Sequence, residues 1–345
     1  MEKIKFALLG YGGIAKSHKF GYELLEKEGF PIELVAVCDI DEGQFSAAEE
    51  AINLGATYGT DLSGINLYTS LDDMLEKEDI DVVDICLPSY LHKDYAIKLM
   101  RAGKHVQSEK PMSLSYRDCQ EMLKVSEECD KKLTIGQCLH FEAGYTYLKK
   151  CVDENTFGKL LTLNLERLSE LPSWKCFEGW YLDINRSGST PFDLHIHDID
   201  IANYILGMPR SVSAVVIDNE VPMQYISSRL FYDNGVKVFA TASWNESKGT
   251  PFVMSYRARF ENATLVYRGG SVSVYPMNAP GFEAEETMKE NRKDRMAEEI
   301  RNTALSVGDP NFTNTANTPE CAAGSILLIE KLIQSAKADG EMIYL

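Results

Sequence analysis

From residue 3 to about residue 140, short apolar runs alternate with stretches whose apolar positions recur every three or four residues. The run Ile4–Leu9 is apolar almost without interruption, as a parallel strand covered on both faces should be. The pattern then predicts a helix over 14–28, a strand over 33–38, and helices over 42–53 and near 71–77. It continues with a strand over 82–87, a helix over 94–102, a short strand over 105–107, a helix over 116–129 and a strand over 132–137. Strands and helices in alternation predict a parallel sheet with helices on both faces. After Lys159 the texture changes to strand-like segments over 160–167, 211–217, 227–232, 236–243, 252–261, 263–267 and 271–275. Asp233-Asn234-Gly235 is a hairpin signal among them. The pattern therefore predicts an α/β chain of two domains, 1–128 and 129–345, the second built on a mostly antiparallel sheet. Two helices, over 285–306 and 319–338, close it; the first is heavily charged and reads as a solvated amphipathic helix.

The turn after the first strand reads Gly10-Tyr11-Gly12-Gly13-Ile14-Ala15, a G-x-G-x-x-A. The first glycine permits a tight turn, the second lets a pyrophosphate approach the backbone, and the small third residue lets helix and strand pack closely. The helix start then offers unpaired N–H groups to phosphate. Asp39 closes the second predicted strand, where a carboxylate accepts hydrogen bonds from adenosine ribose and repels a 2′-phosphate. Turn, helix and acidic strand end together point to a dinucleotide, NAD in preference to NADP. Pro88-Ser89-Tyr90-Leu91-His92 and Ser108-Glu109-Lys110-Pro111 follow two further strand ends, on the edge that binds ligands in such sheets. Lys110 there has two readings of equal weight: a donor to a substrate hydroxyl, or a surface lysine paired with Glu109.

Residues 193–200 read DLHIHDID, two histidines among three aspartates. Thr190 as cap, Pro191 at the first helical position and Asp193 at the third read as a helix start, with Gly207 and Pro209 as its stop. On an α-helix Asp193, His197 and Asp200, spaced i, i+4 and i+7, share one face, while His195 points about 200° away from His197. Two histidines one residue apart do not chelate easily from a helix, and no third histidine or cysteine neighbours them in an evident pattern, so no metal is expected. A carboxylate and an imidazole one turn apart suit proton transfer. The plainer alternative makes Asp193 a cap and His197 a core histidine.

These motifs, in this order and spacing, resemble the glucose–fructose oxidoreductase / inositol dehydrogenase (Gfo/Idh/MocA) family. The resemblance rests on GYGGIA, Asp39, DVVDICLPSYLH, AGKHVQSEKP, the DxxxHxxD of Asp193, His197 and Asp200, and the ending SAKADGEMIYL. It implies a Rossmann dinucleotide-binding domain followed by an α/β domain with an open-faced, mostly antiparallel sheet that packs against its partner in a homo-oligomer, a dimer or tetramer. It also implies that Lys110 reaches the substrate near the nicotinamide, and that His197 and Asp193 are the general base and a substrate-side acid. Gly10, Gly12, Gly13, Ile14, Asp39, Pro88, His92 and Glu109, with Lys110, fall where the family binds the cofactor. The chain departs from the pattern at His195, where many relatives have glycine, and in a glycine run reduced to Ser187-Gly188-Ser189. Trp174, Phe177, Trp180, Tyr181 and Arg186 just upstream suit either a hydroxyl-rich ligand or simple packing.

Bulk properties narrow the setting. A net charge of −17 opposes nucleic acid and anionic membranes as partners. No segment reaches the roughly 18 apolar residues of a membrane span, and the start MEKIKFALLGYGG lacks the long apolar core of a signal peptide. Eight cysteines without a CxxC pair fit reduced thiols in a cytoplasm better than disulfides or zinc. The expected activity is NAD-dependent oxidation of a secondary alcohol in a sugar, polyol or related small molecule. The alternatives are a redox-neutral lyase, glycosidase or epimerase with tightly held NAD, and a non-catalytic cofactor sensor.

Overall fold

In the computed structural model, which describes residues 2–46, 61–172, 177–284 and 294–345, the apolar run Ile4–Leu9 forms strand β1, with five of its six residues buried. The strands Ile32–Cys38 (β2), Asn66–Tyr68 (β3), Val82–Ile85 (β4), His105–Glu109 (β5) and Leu133–Gly136 (β6) complete, among the described residues, a six-stranded sheet in the order β3-β2-β1-β4-β5-β6. Every pairing in it is parallel. The chain's direction across the sheet reverses between β1 and β4, the place where open α/β sheets leave a ligand crevice at their carboxyl ends. The helices Gly13–Lys27, His92–Arg101 and Tyr116–Glu128 connect the strands. Ser115 starts the last of these by accepting the Asp118 N–H at 3.2 Å.

The chain divides into two compact units, Met1–Cys138 with Asp294–Ala323, and Leu139–Lys293 with Gly324–Leu345. This corrects the expected division at 128/129 in two ways. Strand β6 pairs with β5 and so belongs to the first sheet. Helix Arg295–Gly308, capped by Asp294, returns to the first unit from near the far end of the chain. Gly21 is why it can: a Cβ there would fall 3.0 Å from the Ala297 nitrogen and 3.1 Å from the Met296 carbonyl carbon. The helix therefore lies directly on helix Gly13–Lys27, and Ala297, Ile300 and Ala304 join Phe6, Leu8, Tyr22 and Leu25 in one core cluster. Of the helix expected over 42–53, a 3-10 turn Glu42–Ser46 is seen and the rest lies outside the described residues. The same is true of the first residues of the helix expected over 285–306. The pattern missed β3, too short for a period, and helix Ala143–Asp153.

The second unit carries a nine-stranded sheet among its described residues: Leu160–Glu170 (β7), Ser211–Ile217 (β8), Tyr225–Phe231 (β9), Lys237–Glu246 (β10), Val253–Phe260 (β11), Ala263–Arg268 (β12), Ser271–Pro276 (β13), Phe282–Glu283 (β14) and Ile343–Tyr344 (β15). Its order is β14-β13-β12-β11-β7-β10-β9-β8-β15, antiparallel everywhere except between β7 and β10. One face buries Leu163, Leu165, Val238, Ala240 and Leu230. The alternate positions leave Val215, Phe239 and Tyr275 exposed on the other, so this face is open. No helix among the described residues is long and apolar enough to cross a membrane. The cysteines among them are free thiols.

The close approach at Gly21 makes a stability prediction. Gly21→Val should lower the unfolding free energy by about 1–3 kcal/mol through overpacking against the Ala297 backbone. Urea denaturation checks it, and an unchanged midpoint would show that the two helices yield freely.

Candidate active site

Strand β1 delivers the chain into the glycine turn. Gly10 has a φ of +86°, and a Cβ on it would meet the Cys86 carbonyl oxygen at 2.8 Å, so the first glycine is compelled by both backbone and space. Gly12 caps helix Gly13–Lys27, and a Cβ there would meet nothing within 4 Å. The backbone at this helix start is thus uncrowded at Gly12, where the first N–H groups of a helix lack partners within the helix and suit a phosphate. Ala15, fully buried, holds the helix close to the sheet. Gly12, Gly13 and Ile14 are all part-exposed. The residues present fit a dinucleotide pyrophosphate.

Asp39 stands beside this turn and is bonded to it. Its Oδ2 accepts the Tyr11 N–H at 2.6 Å and its Oδ1 accepts the Asp41 N–H at 2.9 Å. The Gly10 N–H donates to the Cys38 carbonyl at 2.8 Å, so the strand end and the glycine turn are tied together twice. A fixed carboxylate here places negative charge where the adenosine ribose of a dinucleotide would lie in such a sheet.

Pro88, beyond β4, is part-exposed at the carboxyl edge of the sheet. His92, expected to line the cofactor pocket, has its side chain turned into the interior. It is 1% exposed, with Nδ1 2.8 Å from the Pro111 carbonyl oxygen and Nε2 2.8 Å from that of Leu87. Burial pushes its pKa down, so a neutral ring donates to one of these carbonyls at a time and tethers the two strand ends. Strand β5 runs past its expected end at Gln107 to Glu109. Glu109, expected as a cofactor contact, is 6% exposed with its side chain turned inward, its Oε1 2.9 Å from His18 Nε2. Lys110, the next residue, is part-exposed at the sheet edge, and its peptide bond to Pro111 is cis.

In the second unit, the expected α-helical start at Thr190 is displaced. Thr190 already has helical dihedrals and no capping bond; its hydroxyl donates to the Gln224 carbonyl at 3.1 Å. Pro191–His195 forms a π-helical turn and Ile196–Leu206 an α-helix, stopped at Gly207 with φ +74°. Wide turns of this kind gather at functional sites. Ahead of it, Gly188 has φ +75°, and a Cβ there would strike Phe192 at 2.5 Å, so the one glycine left in the run is required.

Of the ten residues 191–200, nine are buried and His197 alone is part-exposed. Its neighbours face inward. His195 is fully buried, its Nε2 2.8 Å from Ser228 Oγ, and burial with the Arg167 charge pushes its pKa down to about 3, so it is neutral. Asp198 is gripped by Arg167 through Nη2 at 2.9 Å and Nε at 3.3 Å, both side chains buried. Asp200 does not share the face of His197 as expected. Its Oδ2 lies 2.6 Å from His140 Nε2 and its Oδ1 accepts Ser325 Oγ at 2.7 Å, while His140 stacks on Tyr204. Three residues along an α-helix leave about 60° between side chains, enough to turn Asp200 inside. Asp193, 9% exposed, lies in the π turn, one turn before His197. Lys110 and His197 are thus each part-exposed beside charged groups that are bonded into the interior.

Of the upstream aromatics, Trp174 lies outside the described residues. Trp180 and Tyr181 meet edge to face, and Tyr181 leans on buried Trp244, which makes it part of the packing. Arg186 lies 3.4 Å from Glu178. Sequence reasoning missed Arg167, His140, His18, Asp84 and Glu299. An aspartate inside the apolar run VVDIC was the one available signal.

Comparison with known proteins bears on the family and the fold. The model for an oxidoreductase family with an NAD-binding Rossmann fold, Gfo/Idh/MocA, matches residues 4–137, and that for the Gfo/Idh/MocA C-terminal domain matches 145–266. A 2,7-anhydro-N-acetylneuraminate hydratase of Mediterraneibacter gnavus is 31% identical over 221 residues, 62% of this chain and 52% of that protein. An inositol 2-dehydrogenase of Rhizobium meliloti is 32% identical over 222 residues, 63% of this chain and 61% of that one. The chain thus aligns with somewhat over half the length of these curated relatives. The WlbA dehydrogenase of Bordetella pertussis, solved with NADH and UDP-GlcNAcA, has a TM-score of 0.82 over 100% of this chain and 98% of its own, at 20% identity, and so shares the fold. With an NAD-binding first unit and a matching second, the chain belongs to the Gfo/Idh/MocA oxidoreductase family.

Proposed function

We propose that the protein is an NAD-dependent dehydrogenase that oxidises a secondary alcohol of a sugar, polyol or related hydroxylated compound in a cytoplasm. The observation that carries this reading is the single opening of residues 191–200 at His197, an imidazole held on a helix whose charged side chains Asp198 and Asp200 are buried. NAD, when bound, supplies the hydride acceptor. The chain itself manages the proton and the charge. His197 takes the hydroxyl proton in the oxidative direction and returns it in the reductive one, work suited to an imidazole, whose ring nitrogens can both accept and donate. Lys110 donates a hydrogen bond to the substrate oxygen, where negative charge grows as the proton leaves. Asp193 orients the imidazole or holds a neighbouring hydroxyl. Gly12 and the helix start receive the pyrophosphate, and Asp39 receives the ribose hydroxyls.

A second reading is favoured by the similarity to a hydratase. There the same residues act on a substrate whose oxidation is transient, and tightly held NAD is regenerated within each turnover. Screening polyols, aldoses, sugar acids and sugar nucleotides for NADH formation tests the first reading. Net NADH from at least one class is the expected result; turnover without added NAD and without NADH release would install the second.

The open sheet face of the second unit, with Val215, Phe239 and Tyr275 exposed, is the surface on which a second copy would pack. Phe239→Asp should shift the protein toward monomer in light scattering, and an unchanged mass would place the interface elsewhere. Lys110→Ala should lower kcat/KM by about a hundred- to a thousand-fold, with NAD affinity held within a few-fold; an equal loss of NAD binding would make Lys110 a cofactor anchor instead. Asp39→Ser should shift the NADP-to-NAD preference by roughly tenfold or more toward NADP, as measured by cofactor titration. A native preference for NADP would refute the role given to Asp39.

A further inference from the structure

Behind Lys110, the first unit buries a group of ionisable side chains whose mutual contacts no motif marked. His18, on the glycine-turn helix, is 0% exposed. Its Nδ1 lies 2.8 Å from Asp84 Oδ2 on β4, and its Nε2 lies 2.9 Å from Glu109 Oε1 on β5. A neutral imidazole has one N–H and one lone pair, whereas ionised carboxylate oxygens only accept. A ring between two carboxylates is satisfied when both nitrogens carry protons, as one cation between two anions. Tyr22 adds a hydroxyl donated to Asp84 Oδ2 at 2.9 Å. The second oxygen of Glu109, Oε2, accepts the backbone N–H of Lys110 at 3.1 Å. One carboxylate thus joins the buried ring to the residue that turns outward.

The surroundings are shaped for this arrangement. Gly136 on β6 leaves room: a Cβ there would fall 3.0 Å from Glu109 Oε1 and 3.1 Å from Glu299 Oε1. Glu299, from helix Arg295–Gly308, is fully buried and accepts Gln107 Nε2 at 3.1 Å. Burial raises its pKa to about 8, with Glu109 and Asp84 adding to the rise and His18 and Arg295 opposing it, so it enters as a neutral acid. For His18 burial opposes charge, but Asp84 and then Cys86 outweigh it, and the pKa rises well above the usual value. For Glu109 burial also opposes charge, and the bond and charge of His18, then the charge of Lys110, bring its pKa below the usual value.

We infer that His18 is a positioning residue for Lys110: held as a cation between Asp84 and Glu109, it fixes the Glu109 carboxylate and, through the Lys110 N–H, the point where that lysine leaves β5. The inference rests on the reading of Lys110 as the group that faces substrate. The competing occupant of this space is a metal ion, because His18, Glu109 and Glu299 offer donor atoms within 4.8 Å of one another, as do His18, Asp84 and Cys86.

The test uses the full chain with NADH bound. In protein labelled with ¹⁵N-histidine, the His18 ring, assigned by through-space contacts, should stay doubly protonated well above the ordinary histidine value of about 6.5. Loss of one proton at that ordinary value, or a stoichiometric metal ion found by elemental analysis, overturns the inference. In His18→Gln and Glu109→Gln, the rate at which an amine-acylating reagent labels Lys110 should change several-fold, while labelling of the exposed Lys98 and NADH affinity hold. The double variant should be no worse than either single one, as expected of residues acting through one path. Unaltered Lys110 labelling in folded His18→Gln would also overturn it. If the labelling changes as expected but no alcohol reduces NAD, the dehydrogenase reading fails and the positioning role stands.

Discussion

The exposure of Lys110 depends on one constraint: at the end of β5, consecutive residues must face opposite ways. A strand sends neighbouring side chains to opposite sides, so once Glu109 is bonded to His18 in the interior, Lys110 is delivered to the carboxyl edge of the sheet. The second unit uses the same device on a helix. Asp198 and Asp200 are spent on Arg167 and His140, and His197 between them is left part-exposed. In both units the buried charges determine which charged group is available.

Such burial carries a cost that must be met locally. An ion pair inside a protein is weak support for stability, but removing one partner leaves a charge in a poor solvent and costs about 3–5 kcal/mol. Residues such as Arg167, with both of its bonds on Asp198, are therefore hard to vary even though they lie behind the open site. The benefit is rigidity. Groups that manage a proton and a developing negative charge act best when they need not reorganise during reaction, and the residues proposed for those roles, His197 and Lys110, each sit next to a carboxylate bonded in the interior.

Most of the first sheet was legible in the sequence because β1, β2 and β4 are largely apolar runs and its turn must have glycine at Gly10, where no Cβ fits; β3, three residues long, was not. The antiparallel character of the second sheet was legible from short strands and a hairpin signal. What escaped were features set by contacts between distant segments. The return of helix Arg295–Gly308 depends on Gly21, which in sequence is only a glycine inside a helix. The inward turns of Glu109 and His92 depend on partners at His18 and at the Leu87 and Pro111 carbonyls. The π turn at Pro191–His195 moved Asp193 and His197 off ideal helical spacing, and periodicity alone carries no sign of such a turn.

The central claim is that the substrate carbon gives up its hydrogen to NAD for good. The most direct measurement follows deuterium. Polyols and aldoses carrying deuterium on the carbinol carbon are turned over with NAD, and the released NADH is examined by mass spectrometry and NMR. The account predicts one deuterium on the nicotinamide ring for each product formed, with a slowed rate where transfer limits turnover. Deuterium retained in the product, with no labelled NADH released, would contradict it.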